Sequence, residues 1–266
     1  MRLPALPPVP STPTGAEVSL PLWPPLLATR GPGDRSAPHS HHAMHFVLAT
    51  SGSLRARAGG RPWIEAAGVL TAPDVVHEID ARGVDVLIVF LEPESDVGGT
   101  LAAALAEPLG PLPSADRDEL VRGADPGALM GAAGAAWTAQ AARACGARPL
   151  EGRRAIHPRV RKLLRMLKVA EAEPATSLEG LAAQVALSPG RLMHVFTASI
   201  GIPLRPYLGW LRLQRAAGAI VSGLPLTDAA HQAGFSDAAH MTRAFGRMFG
   251  VAPSKLQKAA RRGRVE

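Results

Sequence analysis

Apolar residues recur along this chain with two different periods. Between Met44 and Pro93 the short runs MHFVLA, LRARAGG, RPWIEAAG, VLTAP and VDVLIVFLEP are punctuated by Gly and Pro. Turn signals at that spacing predict short antiparallel strands forming a small barrel or sandwich. From Gly98 to Gly146, LAAALAEPLG, SADRDELVRGA and ALMGAAGAAWTAQAARA return to helical composition. Their Ala-rich faces allow close helix approach, either onto the barrel or across a dimer contact.

Beyond Ile156 the period is helical. Val160, Leu163, Leu164, Leu167 and Ala170 form a core-facing stripe, with Arg161, Lys162, Arg165 and Lys168 off it. Thr176 and Glu179 have capping-box spacing and predict a helix from about Ser177 to Val185. Ala186-Leu187 then make a turn, Ser188 is an N-cap candidate, and Pro189 suits the first position of a helix ending near Ser199. Pro203 to about Ser222 predicts a long helix with Leu208, Leu211, Leu213, Ala216 and Ile220 inward, ended by Gly223. The short-helix, turn, helix plan then repeats. Leu178, Ala182 and Ser188 match Leu226, Ala230 and Ser236 at an offset of 48, while Phe196 and Gly201 match Phe245 and Gly250 at 49. One residue is thus expected to be inserted inside the second recognition helix, and each copy reads as a helix-turn-helix unit with a Ser N-cap and a terminating Gly.

Charge sharpens this division. Residues 1–150 hold 11 Lys and Arg against 15 Asp and Glu, whereas residues 151–266 hold 18 against 7, so net charges of −4 and +11 make up the +7 total. A compact basic segment fits a polyanionic partner, since neutralised phosphates release counterions. A hydrophobic fraction of 47% excludes general disorder, and no uninterrupted apolar run suits a membrane span. Met1 to Pro25 carries eight prolines and one basic residue and reads as a flexible arm rather than a signal peptide. With Cys145 as the single cysteine, no internal disulfide can form, in keeping with a cytoplasmic location.

The stretch SLEGLAAQVALSPGRLMHVFTASIGIPLRPYLGWLRLQRAAGAI, followed by LTDAAHQAGFSDAAHMTRAFGRMFGVAPSKLQ, resembles the AraC/XylS family of regulators, most specifically in GFSD…F…FG…PS from Gly234 to Ser254. The resemblance covers about Ile156 to Ala260. It implies that two helices enter successive major-groove segments of double-stranded DNA and that RNA polymerase is a partner. Outward positions of the first recognition helix are Gly190, Arg191, Met193, His194 and Thr197, of which the resemblance makes Gly190, Met193 and His194 the base readers. In the second helix Ala238, Ala239, His240, Thr242 and Arg243 match contact positions, with Arg247 beside them. Arg243 is the foremost candidate, because a guanidinium can bond guanine O6 and N7 together. Arg191, Arg212, Arg215 and Arg247 are expected at phosphates or in solvent.

In the N-terminal half, His39-Ser40-His41, His45, Gly52 and the later Pro73 to His77 look like the cupin pattern, with His45 where a glutamate is usual and the second motif one residue short. His39, His41, His45 and His77 could hold a divalent transition metal (Zn, Ni, Cu or Fe), since alternate strand positions share a face. With Phe46 and Trp63 they could equally line an organic effector pocket, and the two aromatic residues could simply be core. The expected fold is α+β. It comprises a flexible arm (1–25), a cupin-like β-barrel effector domain (26–97), a flanking helical region and dimer-contact candidate (98–148), a linker (149–155), and an all-α DNA-binding domain (156–266) with two helix-turn-helix units joined by a long helix. The expected function is a ligand-responsive transcriptional regulator, not an enzyme, acting as a homodimer candidate away from membranes. The alternative is a dioxygenase-like cupin metalloenzyme fused to a DNA-binding module, against which stands the lack of a second acid/base set.

Overall fold

The computed structural model describes residues 27–148, 156–168 and 177–262. The expected arm (1–25), the linker (149–155), Ala170 and Thr176 lie outside the described residues. Strands come first: β1 (Leu27–Pro32), β2 (Met44–Ala49), β3 (Leu54–Ala58), β4 (Ile64–Ala66), β5 (Gly68–Thr71), β6 (His77–Asp80) and β7 (Asp85–Leu91). Helix α1 (Asp96–Ala104), strand β8 (Leu109–Leu112), α2 (Ser114–Val121), α3 (Pro126–Leu129) and α4 (Gly134–Ala144) complete the N-terminal half.

The strands pair antiparallel in two sheets, ordered β1-β7-β2-β5-β8 and β4-β3-β6. β2 is buried along its whole length, so its sequence is nearly continuously apolar instead of alternating. Met44, Phe46 and Leu48 of β2, with Leu87, Val89 and Leu91 of β7, face a core shared with α1, α2 and α4. Val47, Ala49 and Val86 face the other way, onto Leu54, Ala56, Ala58 and Ile79 of the small sheet. The Ala-rich segment packs on the sheet's outer face, where Trp137 is buried edge-on to Phe46 and its indole N–H donates to the Leu120 carbonyl at 2.8 Å.

Two expectations need correction. The sheets do not close into one barrel. They join along one side only, where the chain leaves β1 and runs beside β6, with the Gly33 N–H on Val84 O (2.8 Å), the Ser36 N–H on Ile79 O (2.9 Å), and His39 and His77 exchanging backbone bonds. Gly33 is needed at that crossing, because a Cβ there would lie 2.3 Å from the Ala81 carbonyl oxygen. On the other side β4 has only three residues, and the described strands carry no ladder from it to β8. β8 itself lies in the stretch read as helical. Pro108, Pro111 and Pro113 prevent a helix through it, and Pro111 is tolerated because β8 is an edge strand.

Among the described residues seven helices follow: α5 (Pro158–Lys168), α6 (Leu178–Gln184), α7 (Pro189–Ile200), α8 (Leu204–Val221), α9 (Leu226–Gln232), α10 (Ala238–Phe249) and α11 (Pro253–Arg262). Val160, Leu163, Leu164 and Leu167 of α5 pack with Leu181, Val185, Leu192, Val195 and Phe196 in the first unit. α8 is buried on two sides. Leu204, Tyr207 and Leu211 join the first unit's core, whereas Trp210, Leu213, Ala216, Ala217 and Ile220 join α9 and α10. Full burial of each large apolar side chain contributes about 1.5–3 kcal/mol, which makes α8 a stiff spacer between the units.

The caps revise the repeat. Ser177, one residue after Thr176, caps α6 by accepting the Gly180 N–H (3.0 Å), and Ser188 caps α7 as expected. Asp237 rather than Ser236 caps α10, accepting the His240 N–H at 2.6 Å. The offset is therefore 48 from Leu178/Leu226 to Gln184/Gln232 and 49 from Ser188/Asp237 onward. The additional residue lies in the turn and not inside the recognition helix, so α7 and α10 both have 12 residues. Gly201 and Gly250 terminate them in the left-handed region, with φ of 98° and 67°.

Candidate functional site

The recognition helices bury one face and leave the other free. On α7, Leu192, Val195 and Phe196 are buried, while Gly190, Arg191, Met193, His194 and Thr197 are all exposed. Met193, at 48% exposure, is an unusually open apolar side chain. On α10, Met241 and Phe245 are buried and Ala239, Thr242, Arg243 and Arg247 are exposed. Two of the expected outward positions are less free. Ala238 is half-buried against the second unit's core, and His240 packs edge-on to Phe235 (5.3 Å) beside the Ser236 hydroxyl (3.1 Å). The Thr242 hydroxyl donates to the Ala238 carbonyl (2.8 Å), which leaves its methyl as the outward group.

Between the units lies a groove of about 910 Å³ into which Met193 and Thr197 of α7, Arg205 and Arg212 of α8, and His240 and Arg247 of α10 project. It joins both recognition helices through a cationic floor. Arg215 is not part of this surface as expected. Its guanidinium donates to the Leu167 carbonyl (2.8 Å), and burial lowers its pKa, so it ties α8 to the end of α5. Arg159 and Lys162 similarly donate to Val185 O (2.6 Å) and Gln184 O (3.1 Å), satisfying the C-terminal carbonyls of α6.

The second unit rests directly on the sheets. Leu27, Ala43 and Phe90 share one core with Trp210, Leu213, Ala217 and Phe245. The Ala37 N–H donates to Gly250 O (3.1 Å), and Lys255 of α11 pairs with Asp34, whose carboxyl it holds below the usual range. A cavity of about 170 Å³ remains between them. Leu27, Val47, Ile88 and Phe90 form its sheet side and Phe245, Phe249 and Leu256 its helical side, with Arg30, Asp34 and Lys255 among its polar residues. His39, His41 and His45 also line it.

Phe46 and Trp63, taken as pocket candidates from sequence, do not line this cavity. Phe46 faces the opposite side of β2, and Trp63 lies beneath the guanidiniums of Arg35, Arg55 and Arg57, 4.9–5.5 Å from its ring centroid. The sequence reading overlooked Trp210, Phe249, Gly250 and Lys255 at this junction. Trp210, Leu213 and Ala217 form a second apolar stripe on α8, and that stripe was the available signal.

The histidines gather at the floor of the cavity, although not through the shared strand parity expected. His45 lies in β2 and His77 opens β6, whereas His39 and His41 stand outside the strands and His39 reaches His77 through an isolated bridge. Among the described residues His39, His41 and His77 offer ring nitrogens that all lie within 4.8 Å of one another. His45 stands beside them, its centroid 4.8 Å from His41 and 5.0 Å from His77, with Nδ1 2.9 Å from the Thr71 hydroxyl. Burial, with the neighbouring imidazoles, holds His41 and His45 well below the usual range and pushes His77 down to about 4. His42 points elsewhere: burial pulls its pKa down, but the hydrogen bond to Asp74 (2.9 Å) and the buried Glu94 carboxylate 3.4 Å away outweigh it and push it up to about 9.

Comparison with known proteins bears on the two halves differently. Residues 181–259 match the family model described as a helix-turn-helix domain. The regulatory protein Ada of Salmonella typhimurium is 30% identical over 105 residues, which are 40% of this chain; the chain spans only 30% of that relative's length. The crystal structure of ToxT from Vibrio cholerae O395 superposes with a TM-score of 0.55 at 12% identity, covering 88% of this chain and 96% of that one. Wild-type ToxT of strain SCE256 with an unsaturated fatty acid bound gives 0.50 at 11% identity, covering 87% and 93%. These likenesses show a shared fold, a mixed N-terminal sheet region followed by a helical domain. No described helix is long and apolar enough to cross a membrane.

Proposed function

Because this chain carries the helix-turn-helix domain of the AraC/XylS family, we propose that it is a sequence-specific DNA-binding transcriptional regulator whose N-terminal half senses a small molecule. The observation that carries the DNA-binding reading is the pairing of exposed faces on α7 and α10 across an arginine-floored groove. α8 fixes their separation, so a single chain presents two reading heads, and a homodimer is not required for two-segment recognition. In this reading Arg243 reads a base edge, Met193 and the Thr242 methyl meet thymine methyls, and Arg191, Arg205, Arg212 and Arg247 contact phosphates. Double-stranded DNA is the main partner, and RNA polymerase is the partner that the family resemblance adds. A regulator accounts for the helical half, whereas a dioxygenase-like enzyme would leave it unused.

The effector enters between the sheets and the second unit. The walls there are apolar and Lys255, paired with Asp34, supplies a cation among the lining residues, which suits an apolar molecule with an acidic end. The fatty-acid complex of ToxT supports this chemistry in a protein of the same fold. The present space of about 170 Å³ is below the roughly 300–1,000 Å³ of ordinary ligand pockets, so a long occupant must push α10 and α11 off the sheets. That displacement would couple occupancy to DNA binding. Mobility-shift measurements on a selected binding site, with and without a long-chain unsaturated fatty acid, test the reading. It expects operator affinity to change, with the change diminished in Lys255→Ala. Specific binding that no apolar acid alters would overturn the effector assignment, and absence of any preferred sequence would overturn the regulator reading.

A further inference from the structure

The geometry points to a divalent transition-metal centre built from His39, His41 and His77, placed where the sheets meet the second helix-turn-helix unit. Three observations carry it, none of which depends on DNA being the partner. First, each imidazole is oriented by its own backbone. His39 Nδ1 lies 2.8 Å from Ala37 O, His41 Nδ1 2.7 Å from Ala43 O, and His77 Nδ1 2.8 Å from Val75 O. A carbonyl only accepts, so each Nδ1 bears the proton and each Nε2 keeps its lone pair. Fixing the ligand tautomer by bonding the other ring nitrogen is the support that metal-binding histidines generally require.

Second, the lone pairs converge on one another and not on donors. Nε2 of His41 and of His77 is buried without a hydrogen-bond partner. Burying such acceptors unpaired is unfavourable, and a cation removes that cost for all of them together. Third, the reach is right. The ligating nitrogens lie within 4.8 Å of one another, and metal–nitrogen bonds of about 2.0–2.1 Å require only that they draw in to roughly 3.3–3.5 Å. Uncharged imidazoles favour zinc and its neighbours (Co²⁺, Ni²⁺, Cu²⁺) over Mg²⁺ or Ca²⁺. Three protein ligands would leave a fourth position for a water or an acidic ligand.

The placement gives the centre a mechanical role. His41 stacks on Trp210 (5.8 Å, 23° between planes), and Phe249 lies 6.3 Å from it. Gly250 follows so closely that a Cβ would come within 2.6 Å of His39 Nδ1. A metal that draws the three rings together therefore adjusts the surface on which α8 and the end of α10 rest.

The test uses the full chain without a histidine tag, stripped with a chelator and titrated with Co²⁺. The expected result is saturation at about one Co²⁺ per chain, with visible ligand-field absorption. Proton NMR of the same sample should show three exchangeable hyperfine-shifted signals, one for each Nδ1–H bonded to its carbonyl. His39→Asn and His77→Asn, checked for native circular dichroism, should each abolish the absorption. Wild-type protein that takes up well below one Co²⁺ per chain, or gives no shifted imidazole signals, overturns the proposal whether or not the variants fold. So does folded His77→Asn that binds Co²⁺ like wild type.

Discussion

Replacing Gly250 by Ala isolates the contact between the recognition helix α10 and the sheets. Gly250 has φ of +67°, and a Cβ there would lie 2.6 Å from both Ala37 O and His39 Nδ1 and 3.0 Å from Ser36 Cβ. Gly123 provides the comparison, with φ of +65° and nothing within 4 Å of the same Cβ. The left-handed backbone costs Ala about 1–2 kcal/mol at either position. Overlap at Gly250 and weakening of the Ala37 N–H bond to Gly250 O add about 1–3 kcal/mol. Gly123→Ala is therefore expected to lose about 1–2 kcal/mol and Gly250→Ala roughly 2–5 kcal/mol in urea unfolding of the full chain. Hydrogen exchange should locate the additional loss at residues 36–39 and the last turn of α10. Equal losses in the two variants, or exchange unchanged at those segments, would refute the view that the second unit is seated on the histidine segment.

Other residues separate readout from support. Arg243→Ala should cost about 1–3 kcal/mol on the preferred site and relax selection at one base pair in a randomised-library experiment. Arg215→Ala should instead lower the unfolding temperature while leaving the selected sequence unchanged, because Arg215 bonds the Leu167 carbonyl. Arg35, with Arg57, holds the buried Glu78 carboxyl below its usual range. A carboxyl lowered on folding stabilises above its unfolded pKa, near 4.3, and that contribution fades as pH falls through the folded value. The stability gap between wild type and Glu78→Gln should thus be constant above about pH 5 and shrink on acidification, as followed by thermal melts; a gap independent of pH would remove Glu78 from the account.

The helical half was legible because its signals are local. Periodicity gave the buried stripes of α5, α7 and α8, and Gly201 and Gly250 marked the helix ends. Its errors were also local: two oxygen-bearing residues stood side by side at Thr176-Ser177 and Ser236-Asp237, and spacing alone could not choose between them. The N-terminal half was read less well because its order is set by pairing between distant residues. Nothing within Leu109–Leu112 shows that it will lie beside Gly68–Thr71, and the crossing at Gly33 depends on Ala81. The histidines were picked out by type, but their convergence comes from a bridge between residues 38 positions apart. The cavity was invisible for the same reason, since its two walls come from opposite ends of the chain.

The central claim is that α7 and α10 of one chain read two adjacent stretches of DNA, and hydroxyl-radical footprinting of the full chain on a selected binding site tests it most directly. The account predicts two protected segments on one face of the duplex, about 10–10.5 base pairs apart centre to centre, with Arg243→Ala weakening only the one read by α10. Protection of a single segment, or uniform protection that random DNA competes away equally well, would contradict it.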